Sequence, residues 1–353
     1  MDRLGATDLP GSGRDEAAAE LPWLERASLF SSGSDALARL VTWGASRYGW
    51  RRVWLPSYYC PDVPAALVAA AANSVELLAY PDASPWTATD LGLVSAVAGD
   101  VVVIANQLGV RARPEMTHLA GRAVIVEDHS HDLGSEWARD SDADYAFASL
   151  RKTLPIPDGG AVWSPRGREL PPEPAIEDER ERRLADRLAA ALDRRRREGP
   201  ADDRLRFRAL ARAAAASIGP GSRGGISPVS RALLPRMPVR AWRERRRRNL
   251  SILAEAAGSA SSARILRAPA GGVAFALTLV FEAGQSRRRA RRALEARAVV
   301  PTVLWPLDPA RDWGAGPADA DLAGRILSIQ GDQRYGDADM ERLAGILREA
   351  LRD

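Results

Sequence analysis

From Leu29 onward the apolar positions alternate between two periods. Leu37, Leu40 and Val41 recur at helical spacing behind Ser31-Ser32-Gly33-Ser34-Asp35, a run of hydroxyl, glycine and acidic residues that predicts a helix start. Residues 52–56 then read as a short strand, followed by a helix over 61–72, a strand over 74–79 and a helix over 89–98. Val101-Val102-Val103-Ile104 and Ala123-Val124-Ile125-Val126 are apolar throughout, with a helix predicted over 114–121 between them. A strand can drop its polar alternate only when both faces are buried, so these runs predict a parallel sheet covered by helices on both sides.

Farther on, residues 168–215 read as a charged, Ala- and Arg-rich helical stretch in which Leu184, Leu188 and Leu192 form a narrow apolar stripe. A Gly-rich loop over 219–225 interrupts it. Beyond residue 250 the pattern becomes a compact α+β unit: strand 272–281, Arg-rich helix 286–296, strands 300–305 and 325–330, and a closing helix 337–351. The expected organisation is an N-terminal arm over 1–28, a large domain over 29–250 and a small C-terminal domain over 251–353, with no internal repeat.

Composition narrows the class. With 353 residues, 46% of them hydrophobic and 27% charged, the chain can bury a sizeable core. Its longest apolar runs, 65–72 and 101–105, fall short of the roughly 20 residues a membrane helix needs, and the N-terminal stretch is acidic and polar, so a soluble cytoplasmic protein is expected. Cys60 is the only cysteine, which excludes an intrachain disulfide and, with three histidines, leaves few soft ligands for structural zinc. The formal charge is +4 despite two arginine runs, 194–197 and 245–248. No aromatic-studded basic groove accompanies those runs, so they read as solvated helix faces and no nucleic-acid partner is expected.

Lysine and arginine together number 50, and only one of them, Lys152, is lysine. Arginine cannot replace lysine where an amine must lose its proton and attack a carbonyl, and Schiff-base formation is the main such task. Three segments flank that possibility at the expected C-terminal edge of the sheet, where open α/β folds bind ligands. The 31–35 segment offers a helix N-terminus suited to a phosphate, or simply a good N-cap. Glu127-Asp128-His129-Ser130-His131 follows a buried strand; Asp128 could pair with a protonated pyridine nitrogen and His131 with a phenolic oxygen on the same ring. A metal site or an acid–base dyad are the other uses of an Asp with two His, although a further metal ligand is lacking nearby. Ser149, three residues before Lys152, places a hydroxyl where it could grip the phosphate of an aldehyde tethered at the lysine. Together these residues describe a pyridoxal-phosphate site, with no metal.

The sequence also resembles the fold-type I pyridoxal-phosphate (PLP) enzymes, and within them a divergent branch of the DegT/StrS sugar aminotransferase family. The matching segments are Ser-Ser-Gly-Ser-Asp-Ala-Leu at 31–37, Leu-Pro-Ser-Tyr-Tyr at 55–59, Asn-Gln-Leu-Gly at 106–109 and Val-Glu-Asp at 126–128. Ser-x-x-Lys at 149–152 before Gly159-Gly160, Ile-Ser-Pro-Val-Ser at 226–230 and Ile-Leu-Ser-Ile at 326–329 complete the series in order. The resemblance implies a large domain with a mostly parallel sheet, a small C-terminal α+β domain, and a homodimer with its sites at the interface. It makes Lys152 the Schiff-base lysine and proton shuttle, Asp128 the partner of the pyridine nitrogen, and Gly33, Ser34 and Ser149 the phosphate ligands. Tyr58 or Tyr59 would stack on the ring, and His131 stands where many members carry glutamine. The chain departs from the family at Arg223-Gly224-Gly225-Ile226-Ser227, where an Asn-Tyr-Arg-Met-like segment is usual, and in the short spacing from Phe147 to Lys152.

The expected reaction is amino transfer from an amino-acid donor to a keto or aldehyde acceptor, with Arg151 helping to keep the lysine amine neutral. Arg334 is a candidate for the donor carboxylate, or an ordinary ion-pair partner; Trp305 and Asn106 are candidates for the substrate pocket, with a core tryptophan the alternative for Trp305. Elimination or decarboxylation on the same cofactor remains open. So does a noncatalytic scaffold that uses the Arg-rich 180–215 helices as its partner surface.

Overall fold

A computed structural model describes residues 20–82, 89–175, 224–258 and 263–352. In chain order the elements are β1 (Ser28–Phe30), α1 (Gly33–Tyr48), β2 (Arg52–Pro56), α2 (Asp62–Ala71), β3 (Glu76–Tyr80), β4 (Asp100–Ala105), β5 (Val124–Asp128), α3 (Glu136–Arg139), β6 (Tyr145–Ser149) and β7 (Gly160–Trp163). They continue as α4 (Pro228–Leu233), α5 (Val239–Ala257), β8 (Ala263–Leu266), β9 (Leu277–Phe281), α6 (Gly284–Glu295), α7 (Pro317–Arg325), β10 (Ile326–Ile329) and α8 (Asp337–Ala350). Among the described residues no helix is long and apolar enough to cross a membrane.

The main sheet has seven strands in the order β1-β7-β6-β5-β4-β2-β3. Strands β3, β2, β4, β5 and β6 run parallel, as the apolar runs predict, while β7 and β1 add an antiparallel edge. Alternate residues of β4 and β5 feed different cores: Val101, Val103 and Val126 pack with Leu37, Leu40 and Val41 of α1, whereas Val102, Ile104 and Ile125 pack with Leu119 and Trp137. Burying each such aliphatic side chain contributes on the order of 1.5–3 kcal/mol, which is why the polar residues of these strands are confined to Asp100 at the start of β4 and Glu127-Asp128 at the end of β5.

A second, three-stranded antiparallel sheet, β10-β9-β8, forms the C-terminal unit. Leu279 and Leu327 from its strands pack with Leu253 of α5, Leu294 of α6, and Met340 and Leu347 of α8. Helix α5 belongs to both units, since Val239 at its start packs with Leu154 and Met237 while Leu250 and Leu253 join the second core. Residue 250, the expected boundary, therefore lies within a continuous helix.

Four expected elements are corrected. Residues 89–98 form turns rather than a helix: Asp90 accepts the Gly92 N–H at 2.9 Å, and Asp100 accepts the Val97 N–H at 3.0 Å. These aspartates offer the backbone side-chain acceptors that compete with a helix ladder. Residues 114–121 form turns that end at Gly121, whose φ is +73°. Residues 300–305 make only one bridge, Thr302 to Ser328, and strand 272–281 shortens to β9. The short strands β1, β6, β7 and β8 carry too few alternating positions to stand out in the sequence. The 1–19 part of the expected arm and the Leu184, Leu188, Leu192 stripe lie outside the described residues.

Candidate active site

Strand β6 delivers Lys152. Its last residue, Ser149, leads into a single 3-10 turn, Leu150–Lys152, anchored by the Leu150 N–H donating to Gly159 O at 3.0 Å and by burial of Leu150. Gly159 has φ +131°, a conformation closed to side-chain-bearing residues, so the first glycine of Gly159-Gly160 is required by the return of the chain into β7. The Lys152 Nζ comes 3.5 Å from His131 Nε2 and 6.0 Å from the centre of the Trp305 ring. Arg151 is exposed beside it.

Strand β5 delivers Asp128 at its last position. One carboxylate oxygen accepts the Tyr59 hydroxyl at 2.5 Å and the other the Ser130 N–H at 2.8 Å. A carboxylate has about four lone-pair directions, so Asp128 retains capacity for a third donor. Burial, then the charge of Asp128, pushes the Tyr59 hydroxyl well above its ordinary range and keeps it a donor.

His131 is buried, and burial first, then the positive charges of Lys152 and Arg246, hold its pKa well below the usual value. The Leu108 N–H donates to its Nδ1 at 3.1 Å, which leaves the proton of the neutral ring on Nε2, the atom that faces Lys152. Leu108 reaches this position at φ +57°, a strained conformation for a leucine, within the Asn106-Gln107-Leu108-Gly109 segment.

The start of α1 is pressed onto the same edge. Ser32 is the N-cap and accepts the Asp35 N–H at 3.1 Å, so the capping use of this segment is real. It leaves the first-turn N–H groups of Gly33 and Ser34, which a helix does not satisfy internally, at the sheet edge. A Cβ on Gly33 would lie 2.7 Å from Ser149 Cβ, and one on Gly160 would lie 2.0 Å from Ser32 O. Glycine at both positions lets helix and hairpin meet, and sets Ser149 beside the helix N-terminus.

The other expected residues divide. The Tyr58 hydroxyl donates to Leu304 O at 2.7 Å and accepts the Trp305 N–H at 3.0 Å, which ties it to the loop of the small unit. Trp305 is 8% exposed and packs with Tyr58, Leu307 and Leu322, so it is a core residue whose ring also faces the lysine. Asn106 donates its backbone N–H to Asp128 O at 3.0 Å, while its buried Oδ1 has no hydrogen-bond partner among the described residues. It lines a cleft of about 270 Å³ with Gly109, Arg113, Glu136 and Gly272. Arg334 is held by both oxygens of Asp332, at 2.8 and 2.5 Å.

Sequence reasoning missed Cys60, Phe275 and Arg246. The Cys60 thiol is pushed up by burial and pulled back by the Lys152 charge. Phe275 packs 4.9 Å from His131. Cys60 adjoined a recognised segment and Phe275 lay in an expected strand; Arg246 lay in the 245–248 run read as a solvated helix face, of which Arg245, Arg247 and Arg248 are exposed while Arg246 is turned inward and buried. Among the described residues no three His, Cys, Asp or Glu side chains gather as a metal-ligand set, and His129 turns to the opposite face to meet Glu127 at 3.0 Å.

No protein-family model matches the chain, and no match is found among curated proteins. Solved structures do match in fold. A DegT DnrJ EryC1 StrS aminotransferase from Brucella abortus is 18% identical with a TM-score of 0.60, over 98% of this chain and 91% of that one. The aminotransferase TlmJ from Streptoalloteichus hindustanus is 19% identical with a TM-score of 0.63, over 96% and 89%. Spr1654 from Streptococcus pneumoniae in its PLP-form is 12% identical with a TM-score of 0.63, over 96% and 90%. The chain therefore has the fold of these aminotransferases, the fold-type I architecture of a large, mostly parallel domain and a small α+β unit.

Proposed function

We propose that the protein is a PLP-dependent aminotransferase that moves an amino group from an amino-acid donor to a keto or aldehyde acceptor. The observation that carries this reading is the placement of the only lysine amine against a neutral His131, at the sheet edge where Asp128 keeps an open acceptor direction.

The residues present fit the cofactor. Asp128 would hold its ring nitrogen, His131 Nε2–H its phenolic oxygen, and the Gly33 and Ser34 amides with the Ser149 hydroxyl its phosphate. Tyr59, anchored to Asp128, is the ring-side aromatic of the proposal, and Tyr58 instead holds the loop carrying Trp305. When bound, the cofactor supplies an aldehyde for covalent attachment and an electron sink for the carbanion left by Cα–H cleavage. Lys152 Nζ would anchor that aldehyde, be released by the donor amine, and then carry the donor's α-proton. The Tyr59 and Ser130 hydrogen bonds hold the Asp128 carboxylate in one orientation, so it would not need to reorganise as charge develops. We further propose a cytoplasmic homodimer with sites at the subunit interface, in keeping with the fold.

The test is the visible absorbance of the purified protein before and after a panel of amino acids, with Lys152→Ala alongside. The reading requires a lysine-dependent chromophore that an amino donor alone converts and a carbonyl acceptor restores. A chromophore that returns without acceptor would mean a lyase or decarboxylase, and none at all would leave a scaffold.

A further inference from the structure

We infer that the cleft of about 270 Å³ beside Asn106 is a binding site for a small organic cation carrying N–H donors, of the alkylguanidinium or alkylammonium kind. Lys152, His131 and Asp128 do not line it, so the inference stands apart from the aminotransferase reading.

Strand pleat aims Asn106 into this cleft. Val102 and Ile104 of β4 point to the side of Trp137, and Asn106 continues that alternation, away from Asp128. It is 4% exposed, and its backbone N–H and C=O are paired with Asp128 O and the Gly109 N–H. Its Oδ1 alone has no partner among the described residues. A buried amide oxygen in that state is costly unless a ligand or a water brings it a donor. The Leu108 N–H of the same loop donates to His131, so the cleft and the Lys152 site lie on either side of residues 106–109.

The charges around the cleft decide the sign of its ligand. Each of the two guanidiniums that line it has a carboxylate of its own: Arg111 pairs with Asp82 at 2.8 Å, and Arg113 pairs with Asp142. Glu136 and Asp140, one turn apart at the two ends of α3, line the same cleft, and neither has a cation within 4.0 Å among the described residues. Glu136 is pinned over the wall of the cleft, since its N–H donates to Gly271 O at 3.3 Å and a Cβ on Gly271 would fall on its carboxyl group. With the guanidiniums satisfied and two carboxylates open, an anion finds no free partner here. A neutral polyol meets Asn106 but leaves both carboxylates unpaired. A guanidinium or ammonium head supplies donors to the carboxamide and to the carboxylates together. Trp137, Pro269 and Ala270 offer an apolar wall to its alkyl stem, and the volume admits several heavy atoms rather than one ion or water.

The test titrates butylguanidinium into the full-length protein by calorimetry, with its neutral isostere N-butylurea and the anion pentanoate as comparators. A guanidinium stays protonated and forms no Schiff base, so its heat does not report on lysine chemistry. Wild type is expected to bind it with a dissociation constant of about 1 mM or below, and both comparators at least about 10-fold more weakly. Asn106→Leu is expected to lose about 10-fold in affinity, and Glu136→Gln combined with Asp140→Asn about 10-fold, while Lys152→Ala stays within about twofold. The two carboxylates are exposed, so that double variant decides alone should Asn106→Leu not fold. No binding to wild type, equal binding of N-butylurea, tighter binding of pentanoate, unchanged affinity in the double variant, or a loss in Lys152→Ala each overturns the site. Failure of the aminotransferase reading shows separately, as a missing lysine-dependent absorbance.

Discussion

Glu127 and Asp128 are adjacent acids at the end of one strand, and they point to opposite faces of the sheet. Glu127 follows Ile125 into the core that contains Trp137, accepts His129 Nε2 at 3.0 Å and Ser141 Oγ at 2.6 Å, and is fully enclosed. Burial alone would raise its pKa; the hydrogen bonds from His129 and Ser141 win and hold it below the ordinary carboxylate range. Asp128 follows Val126, accepts Tyr59 and Ser130, and keeps a direction open beside the His131–Lys152 pair. Both networks keep polar capacity, since Glu127 Oε1 has no hydrogen-bond partner among the described residues and meets only Arg113 Nε, at 3.9 Å. What separates the two acids is the face of the sheet each serves, one a buried His129–Ser141 cluster and the other the side that carries His131 and Lys152.

Substitutions on the two faces should separate these roles. The largest effect is expected from Lys152→Ala, which removes the only amine: activity should fall by about 10³-fold or more, with the fold intact by circular dichroism. Asp128→Asn comes next, with a loss on the order of 10²-fold in kcat and little change in melting temperature. On the opposite face, Glu127→Gln should reverse that pattern, lowering stability by about 2–3 kcal/mol in denaturant unfolding while the lysine-dependent chromophore remains. Equal effects of the Asp128 and Glu127 substitutions on both readouts would break the contrast.

Smaller effects sharpen it. Because His131 is held neutral in the folded protein but titrates near its usual value when unfolded, the unfolded chain binds the extra proton as pH drops. Its contribution is therefore fully present above about pH 6.5 and is lost as pH falls below it, with a slope of up to about 1.4 kcal/mol per pH unit. His131→Gln should flatten that part of the stability profile, measured as the difference from wild type. Tyr59→Phe removes one donor from Asp128, and a drop of about fivefold in kcat/KM is expected.

The central strands β4 and β5 were legible because each carries a run of apolar residues with no polar alternate, and α1 because Leu37, Leu40 and Val41 follow a clear cap. The turns at 89–98 were not, since Asp90 and Asp100 act through side-chain hydrogen bonds that a periodicity reading does not register. Within the site, Lys152, Asp128 and His131 stood out by residue type and by position after buried strands. The inward turn of Arg246 did not, because it looks like one more arginine among many until its neighbours are known.

The order of residues along the chain determined which groups exist here: one lysine amine, an Asp-x-x-His pair at a strand end, and glycines where helix and hairpin must touch. Those are matters of chemistry and local spacing. Tertiary structure decided which of two adjacent acids faces the lysine, which ring proton of His131 is exposed to it, and which arginine of the 245–248 run is turned inward. Side-chain direction follows strand pleat, and charge pairing sets local partners, as for Arg334 and Asp332, against partners on distant elements, as for Arg243 and Asp132, so neither is written in any single segment.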